Sequence, residues 1–347
     1  MNCIARYCLT AVVGWFAIAS VHAAEPVVIG DPGSSDPPRP LHAPFAVAFD
    51  EAGSMWVVEY DGGRILQQVN QDFVVRAGDS ADGYVDGAAA DARFNRMHNL
   101  VFGPSGRILV SDHKNHAVRF FDRTTGEVGT LIGGPPAGFD GDSSQGAGED
   151  GGTDEDGGII RLNQAISIAL THDRSGLLIA DIKNLRVRRY DFESGTIRTV
   201  AGNGRRGVPV DGETALDQPL MDPRAVTATT DGFYIAERNG NALRLVRDGR
   251  IFTVAGTGEK GSRDGVALRA TFNGPKHIER GPDGRVYIAD DLNHKIRIYD
   301  PSRRSVSTLD TTPLTLNRPH GVTHYRGDLF IADSFNHRII KIQTPSP

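Results

Sequence analysis

The chain has 347 residues, a formal net charge of −5 and two cysteines, Cys3 and Cys8. An acidic chain is a poor partner for nucleic acid, whose phosphates call for clustered Lys and Arg. Both cysteines fall in the first eight residues, so neither a disulfide framework nor thiol chemistry is expected of the body of the chain.

The N-terminus reads as an export signal. Arg6 precedes an apolar stretch from Leu9 to about Ala19, and Val21-His-Ala23 supplies small residues at cleavage positions. A signal peptide over 1–23 is predicted, with a periplasmic or secreted location. The stretch is short for a bilayer, so no membrane span is expected after cleavage. Residues 24–40 form a lead-in, with Pro, Ser and Asp in Gly30–Pro40 and one isolated apolar run, Val27-Val-Ile29.

Beyond it one short signature recurs six times. Asp112-His-Lys-Asn115-His-Ala-Val-Arg119, Asp181-Ile-Lys-Asn184-Leu-Arg-Val-Arg188, Asp290-Asp-Leu-Asn293-His-Lys-Ile-Arg297 and Asp333-Ser-Phe-Asn336-His-Arg-Ile-Ile340 are the close copies. Glu237-Arg-Asn-Gly240 and Glu59-Tyr-Asp-Gly62 open looser ones. Repeats of roughly 40–50 residues define solenoids, propellers or arrays. Each unit holds four short β-rich runs separated by Gly, Pro, Asp and Asn turns, as in Phe45–Phe49, Met55–Val58, Ile65–Val69 and Phe73–Arg76. That is the pattern of a propeller blade. The fold class is therefore all-β, a six-bladed β-propeller of four-stranded blades over 41–343, with a tail at 344–347.

The first strands are expected to begin near Phe45, His98, Ala165, Arg224, Lys276 and His320. The sixth unit runs out after three strands, at Ile342, so Val27–Ile29 is predicted to supply the fourth and close the ring. The repeated acids Glu59, Asp112, Asp181, Glu237, Asp290 and Asp333 end each second strand. They are expected to accept N–H groups of the turn that follows. The Asn or Gly three residues on would take the left-handed conformation.

One connector is different. Residues 138–158 form a Gly-rich insertion carrying Asp140, Asp142, Glu149, Asp150, Asp154, Glu155 and Asp156. Its oxygens could hold calcium, but the spacing departs from an EF-hand loop. A solvated insertion is the reading adopted. Arg186-Val-Arg-Arg189 and Arg303-Arg304 are likewise read as solvated charge.

These units resemble the NHL repeat. Asn115-His116, Asn293-His294 and Asn336-His337 carry its first two letters. The connectors Ala77-Gly-Asp…Asp86-Gly87, Ala201-Gly-Asn…Asp211-Gly212 and Ala255-Gly-Thr…Asp264-Gly265 strengthen the match. The resemblance implies the propeller fold and leaves activity open, because such propellers include enzymes and binding modules.

Function on a propeller gathers at the central channel. Aligning the first strands places Phe45, His98, Ile166, Arg224, Lys276 and His320 at one level, with Ala46, Asn99, Ser167, Ala225, His277 and Gly321 one step on. His98, Arg224, Lys276 and His320, with Asn99, would make a positive mouth for an anion. The partner would be a protein, peptide, glycan or small anionic molecule.

Two enzyme families on six-bladed propellers sharpen the alternative. Peptidyl-hydroxyglycine amidating lyases resemble the chain in their repeats, and that resemblance implies zinc on His98 and His320; a third ligand is missing, and His277 should point away from the channel. Gluconolactonase-like propellers hold a channel metal through Glu, Asn and Asp, which Glu59 and Asn99 match in part, with no Asp visibly near the axis. Zinc or calcium is thus the cofactor to test. A Gly-x-Ser-x-Gly elbow, a Walker loop and a zincin helix are absent. Two readings remain: a binding propeller, or a metal-assisted lyase or hydrolase working at the same mouth.

Overall fold

The computed structural model describes residues 26–30, 41–142 and 160–343. The predicted signal peptide, most of the lead-in, residues 143–158 of the insertion and the tail lie outside the described residues.

Six antiparallel sheets follow one another in chain order around an axis. Their inner strands are Pro44–Phe49, Met97–Phe102, Ala165–Leu170, Pro223–Ala228, Pro275–Arg280 and Gly321–Tyr325. Four sheets have four strands; blades two and five gain a two-residue fifth strand, Gly87–Ala88 and Gly265–Val266, from their connectors. Short 3-10 turns are the only helical structure among the described residues. The sixth blade is completed as predicted. Val27–Ile29 pairs antiparallel with Arg338–Gln343, in the register Val27↔Lys341, Val28↔Ile340 and Ile29↔Ile339.

The hydrophobic core is six cores, each between two neighbouring blades. Val58, Phe94, Met97 and Val110 pack between blades one and two. Leu41, Val57, Phe330 and Ile339 pack between blades one and six. A blade therefore buries both of its faces only against neighbours, which is why the ring must close.

The signature residues tie each blade together. The turn acids accept N–H groups, but from the segment before the same blade's inner strand rather than from the turn that follows. Asp112 accepts from Asn95 N at 2.7 Å, Asp181 from Asn163 N at 2.7 Å, Asp290 from Asn273 N at 2.7 Å and Asp333 from Asn317 N at 2.6 Å. Glu59 and Glu237 reach His42 N and Met221 N, each at 2.6 Å. The longer Glu side chain makes the same bond. The asparagine three residues on does not supply the left-handed position; its amide bonds the acid, as in Asn293 Nδ2 to Asp290 at 2.7 Å. The left-handed residue is the next one: His116, Leu185, His294 and His337, with φ of 58, 52, 56 and 55°.

Those histidines have a task of their own. Nδ1 of His116, His294 and His337 accepts the N–H of Gln164, Arg318 and Ala43, each at 3.1 Å, in the following blade. The Asn-His pair of the repeat thus fastens one blade within itself and to the next.

Arg188 corrects the reading of Arg186–Arg189 as solvated. It is fully buried, as are Arg119 and Arg297. Arg119 and Arg297 each reach their blade's acid at 2.9 Å and also an Asp of the preceding connector, Asp86 or Asp264. Arg188 lies 3.9 Å from Asp181 and 3.1 Å from Asp142. Asp142 is thereby the connector acid of blade three, and Asp140 pairs with Arg161. Both acids of the insertion within the described residues hold structure.

Candidate functional site at the channel mouth

Five of the six inner strands begin with a register slip, and in blade six His320 immediately precedes the strand. Pro44 pairs with Glu59 and Ala46 with Val58, so Phe45 is an extra residue; Ile166, Arg224 and Lys276 are extra in the same way. In blade two the slip falls between Met97 and Leu100, and His98 occupies the place. A bulge re-aims a side chain that alternation would send elsewhere. Two residues before each of these six positions the backbone is left-handed, at Ala43, Arg96, Gln164, Asp222, Gly274 and Arg318. The chain turns there to enter the channel.

The six side chains converge. Phe45, His98, Ile166, Arg224, Lys276 and His320 all line one cavity of about 590 Å³ at the mouth where the inner strands start. Further cations, Lys114, Lys183, Arg238 and Arg318, share its wall. Position one after the turn acid supplies a second tier that the sequence reading missed: Tyr60, His113, Arg238 and Asp291. It is a variable position of the signature, which was the available signal.

Asn99 is not part of this mouth. The bulge turns the next residue into the channel as well, toward the opposite face. Asn99 and His277 meet across the channel, Nδ2 to Nε2 at 2.7 Å, and line a second cavity. His277 therefore points into the channel, contrary to simple alternation.

The predicted ring of four cations is also revised. His98 Nδ1 lies 2.8 Å from Arg96 O, and His320 Nδ1 lies 2.9 Å from Arg318 O, so each ring donates from Nδ1 and keeps Nε2 as acceptor. Burial, with Arg224 adding repulsion at His98 and Lys276 and Arg224 at His320, holds both well below the ordinary imidazole range. Burial and Arg224 push His113 down to about 2. These imidazoles are neutral at pH 7. Burial, then Arg224, pushes Lys276 down to about 7, against the pull of Asp291. Lys276 Nζ lies 3.2 Å from Asp291 Oδ2 and against His320 Nε2. Arg318 holds the same carboxylate at 2.8 Å and 3.1 Å.

Arg224 stands apart. It is 4% exposed, and among the described residues its guanidinium has no hydrogen bond and no ion pair. Burial pushes its pKa down to about 9 and Arg238 adds to the repulsion, against the more distant pull of Asp291. A buried cation without a direct ion pair is costly, and an anion in the mouth would offset that cost.

The residues fit a shared metal poorly. The Phe45 ring stacks on His320 at 3.8 Å and meets His98 edge-on at 5.0 Å, filling the gap between them. His320 Nε2 faces an ammonium group. Among the described residues no three His, Cys, Asp or Glu side chains form a group able to hold a metal ion. Glu59 is fully buried and bonded to His42 N and Arg64, away from any channel role. Asp291, by contrast, is a buried Asp at the mouth, where the sequence reading placed none.

The fold and this mouth define a six-bladed propeller with a cation-lined channel entrance. The chain is an NHL-type propeller, although no family model matches it. It is 26% identical over 349 residues to NHL repeat-containing protein 2 of Homo sapiens, covering 87% of this chain and 47% of that one. It is 26% identical over 289 residues to Protein SUPPRESSOR OF QUENCHING 1, chloroplastic, of Arabidopsis thaliana, covering 76% and 26%. The chain thus spans a quarter to a half of the length of these relatives. Among solved structures, an auxiliary nutrient binding protein of Bacteroides ovatus superposes with a TM-score of 0.61 at 16% identity, over 89% of this chain and 70% of that one. Virginiamycin B lyase of Staphylococcus aureus superposes with 0.57 at 13% identity, over 92% and 99%. At such identities the likeness is one of fold.

Proposed function

We propose that this chain is an exported binding propeller whose channel mouth takes an anionic group, a carboxylate on a small molecule, glycan or peptide. The observation that carries the reading is Arg224: a buried guanidinium without a partner among the described residues, facing a cavity lined by further cations. The nutrient-binding propeller of similar fold supports a binding role in general. Export rests on the N-terminal pattern, and mature protein recovered from the periplasm or medium should begin at Ala24.

Arg224→Met is the test. Removing an unpaired buried charge should raise stability by about 1–4 kcal/mol. The same change should abolish binding of glutarate and N-acetylaspartate followed by calorimetry. A stability gain with binding retained would remove Arg224 from the site, and a large stability loss would mark it as structural.

The second reading, a metal-assisted lyase or hydrolase, is favoured only by the Nε2 acceptors that His98 and His320 present at the mouth, of which that of His320 is in contact with Lys276. Elemental analysis of protein purified without chelator or nickel decides it. One equivalent of zinc or calcium lost on His98→Ala or His320→Ala would put the metal enzyme first.

A further inference from the structure

Beyond the Asn99–His277 contact the channel opens on the opposite face as a second cavity, of about 450 Å³. Two residues after Asn99 and His277 the inner strands face the channel again, now with Ala48, Val101, Ala169, Thr227, Glu279 and Thr323. All six line this cavity, and Glu279 is the single ionisable member of the ring. Among the described residues its carboxyl has no hydrogen bond and no ion pair. Burial alone pushes it up to about 8.

The same cavity holds buried polar atoms without a hydrogen-bond partner among the described residues: Asn99 Oδ1 and both ring nitrogens of His324. Asn99 is 4% exposed; one end of its amide meets His277, and the other, Oδ1, has no partner. Phe49, Val101 and Phe102 give part of the wall an apolar surface. The other charged or titratable groups facing the cavity are His277 and His324, with His172, Arg174 and Arg280 in its lining. Burial holds His277 and His324 below the ordinary imidazole range, so both are neutral.

Glu279 is the single carboxylate of this lining and, with no hydrogen bond or ion pair among the described residues, it can serve as counter-ion to a monovalent cation. Divalent metals need several carboxylate or carbonyl oxygens, and only one carboxylate is offered. A primary ammonium brings one charge and three N–H donors, and its carbon chain suits the apolar wall. We infer that the opposite mouth is a second ligand site, for an organic ammonium ion with a short apolar body, with Glu279 as its counter-ion.

The test uses n-butylammonium, with n-butanol as the neutral control. Binding should be one to one and coupled to loss of the Glu279 proton, so affinity should rise roughly tenfold per pH unit below about 8. Glu279→Gln keeps the shape and should abolish both binding and its pH dependence, while Arg224→Met should leave both intact. A carbon-13 carboxyl titration of the unmodified protein should show Glu279 moving toward the ordinary carboxylate range when n-butylammonium is added. No binding at pH 8.5, equal binding of n-butanol, binding retained in Glu279→Gln, or a Glu279 titration unmoved by the amine would each overturn the assignment.

Discussion

Asp290 and Asp333 occupy the same place in the repeat, and their surroundings separate the consequences of losing them. Asp290 holds Arg297, which is fully buried and would keep only the half-exposed Asp264 as a charge partner, so Asp290→Ala should cost about 3–5 kcal/mol. Asp333 holds Arg338, whose side chain is 19% exposed and can rehydrate, so Asp333→Ala should cost only about 1–3 kcal/mol. Denaturant unfolding of the two variants distinguishes them, and equal losses would mean that the Arg burial is irrelevant. Lys276 sets the pH dependence of the mouth. Its amine is charged below about 7 and neutral above, so affinity for a carboxylate should fall between pH 6 and 8 by about 1.5 kcal/mol, roughly tenfold. Calorimetry on Lys276→Met should show weaker binding at pH 6 and no such fall. The repeated acids and their arginines were legible because both recur at a fixed spacing. The charge states of His98 and His320 were not legible, because they depend on burial and on Arg224 from another blade.

At the scale of the element, the start of the inner strand decides the site. A left-handed residue, one position further on, and then a bulge (in blade six, the residue before the strand) place six side chains from six blades at one level. The period-two alternation of an ideal strand would have sent His277 away from the channel. The bulge lets consecutive residues serve its two ends, so Lys276 faces one mouth and His277 the other. Bulges leave little trace in a single sequence, since the extra residue has no fixed chemistry: Phe45, Ile166 and Arg224 fill equivalent places. The Pro that opens three of these strands, at 44, 223 and 275, is compatible with a strand end, where no ladder N–H is needed.

The molecule as a whole is held by closure. Six blades joined in a ring share six apolar interfaces, and opening the ring between blades one and six would expose Val57, Phe330 and Ile339. Removing residues up to Gly30 would strip the outer strand from blade six and bare the edge of Arg338–Gln343. That variant should melt at lower temperature and self-associate through the freed edge. A monomer with an unchanged melting point, by light scattering and thermal unfolding, would show that the strand is dispensable. The sequence by itself determined the blade count, the inner-strand starts to within a residue and the closing strand, because turn residues, alternating apolar runs and the repeated acid are local and recur in register. Only the tertiary structure decided which charges meet and which stay alone. Asn99 and His277 are 178 residues apart yet in contact, Asp291 shares its charge between Lys276 and Arg318, and Arg224 and Glu279 are left without partners among the described residues. Such pairings depend on how deep a side chain lies and which other blade faces it, and neither is written in the residues next to it in the chain.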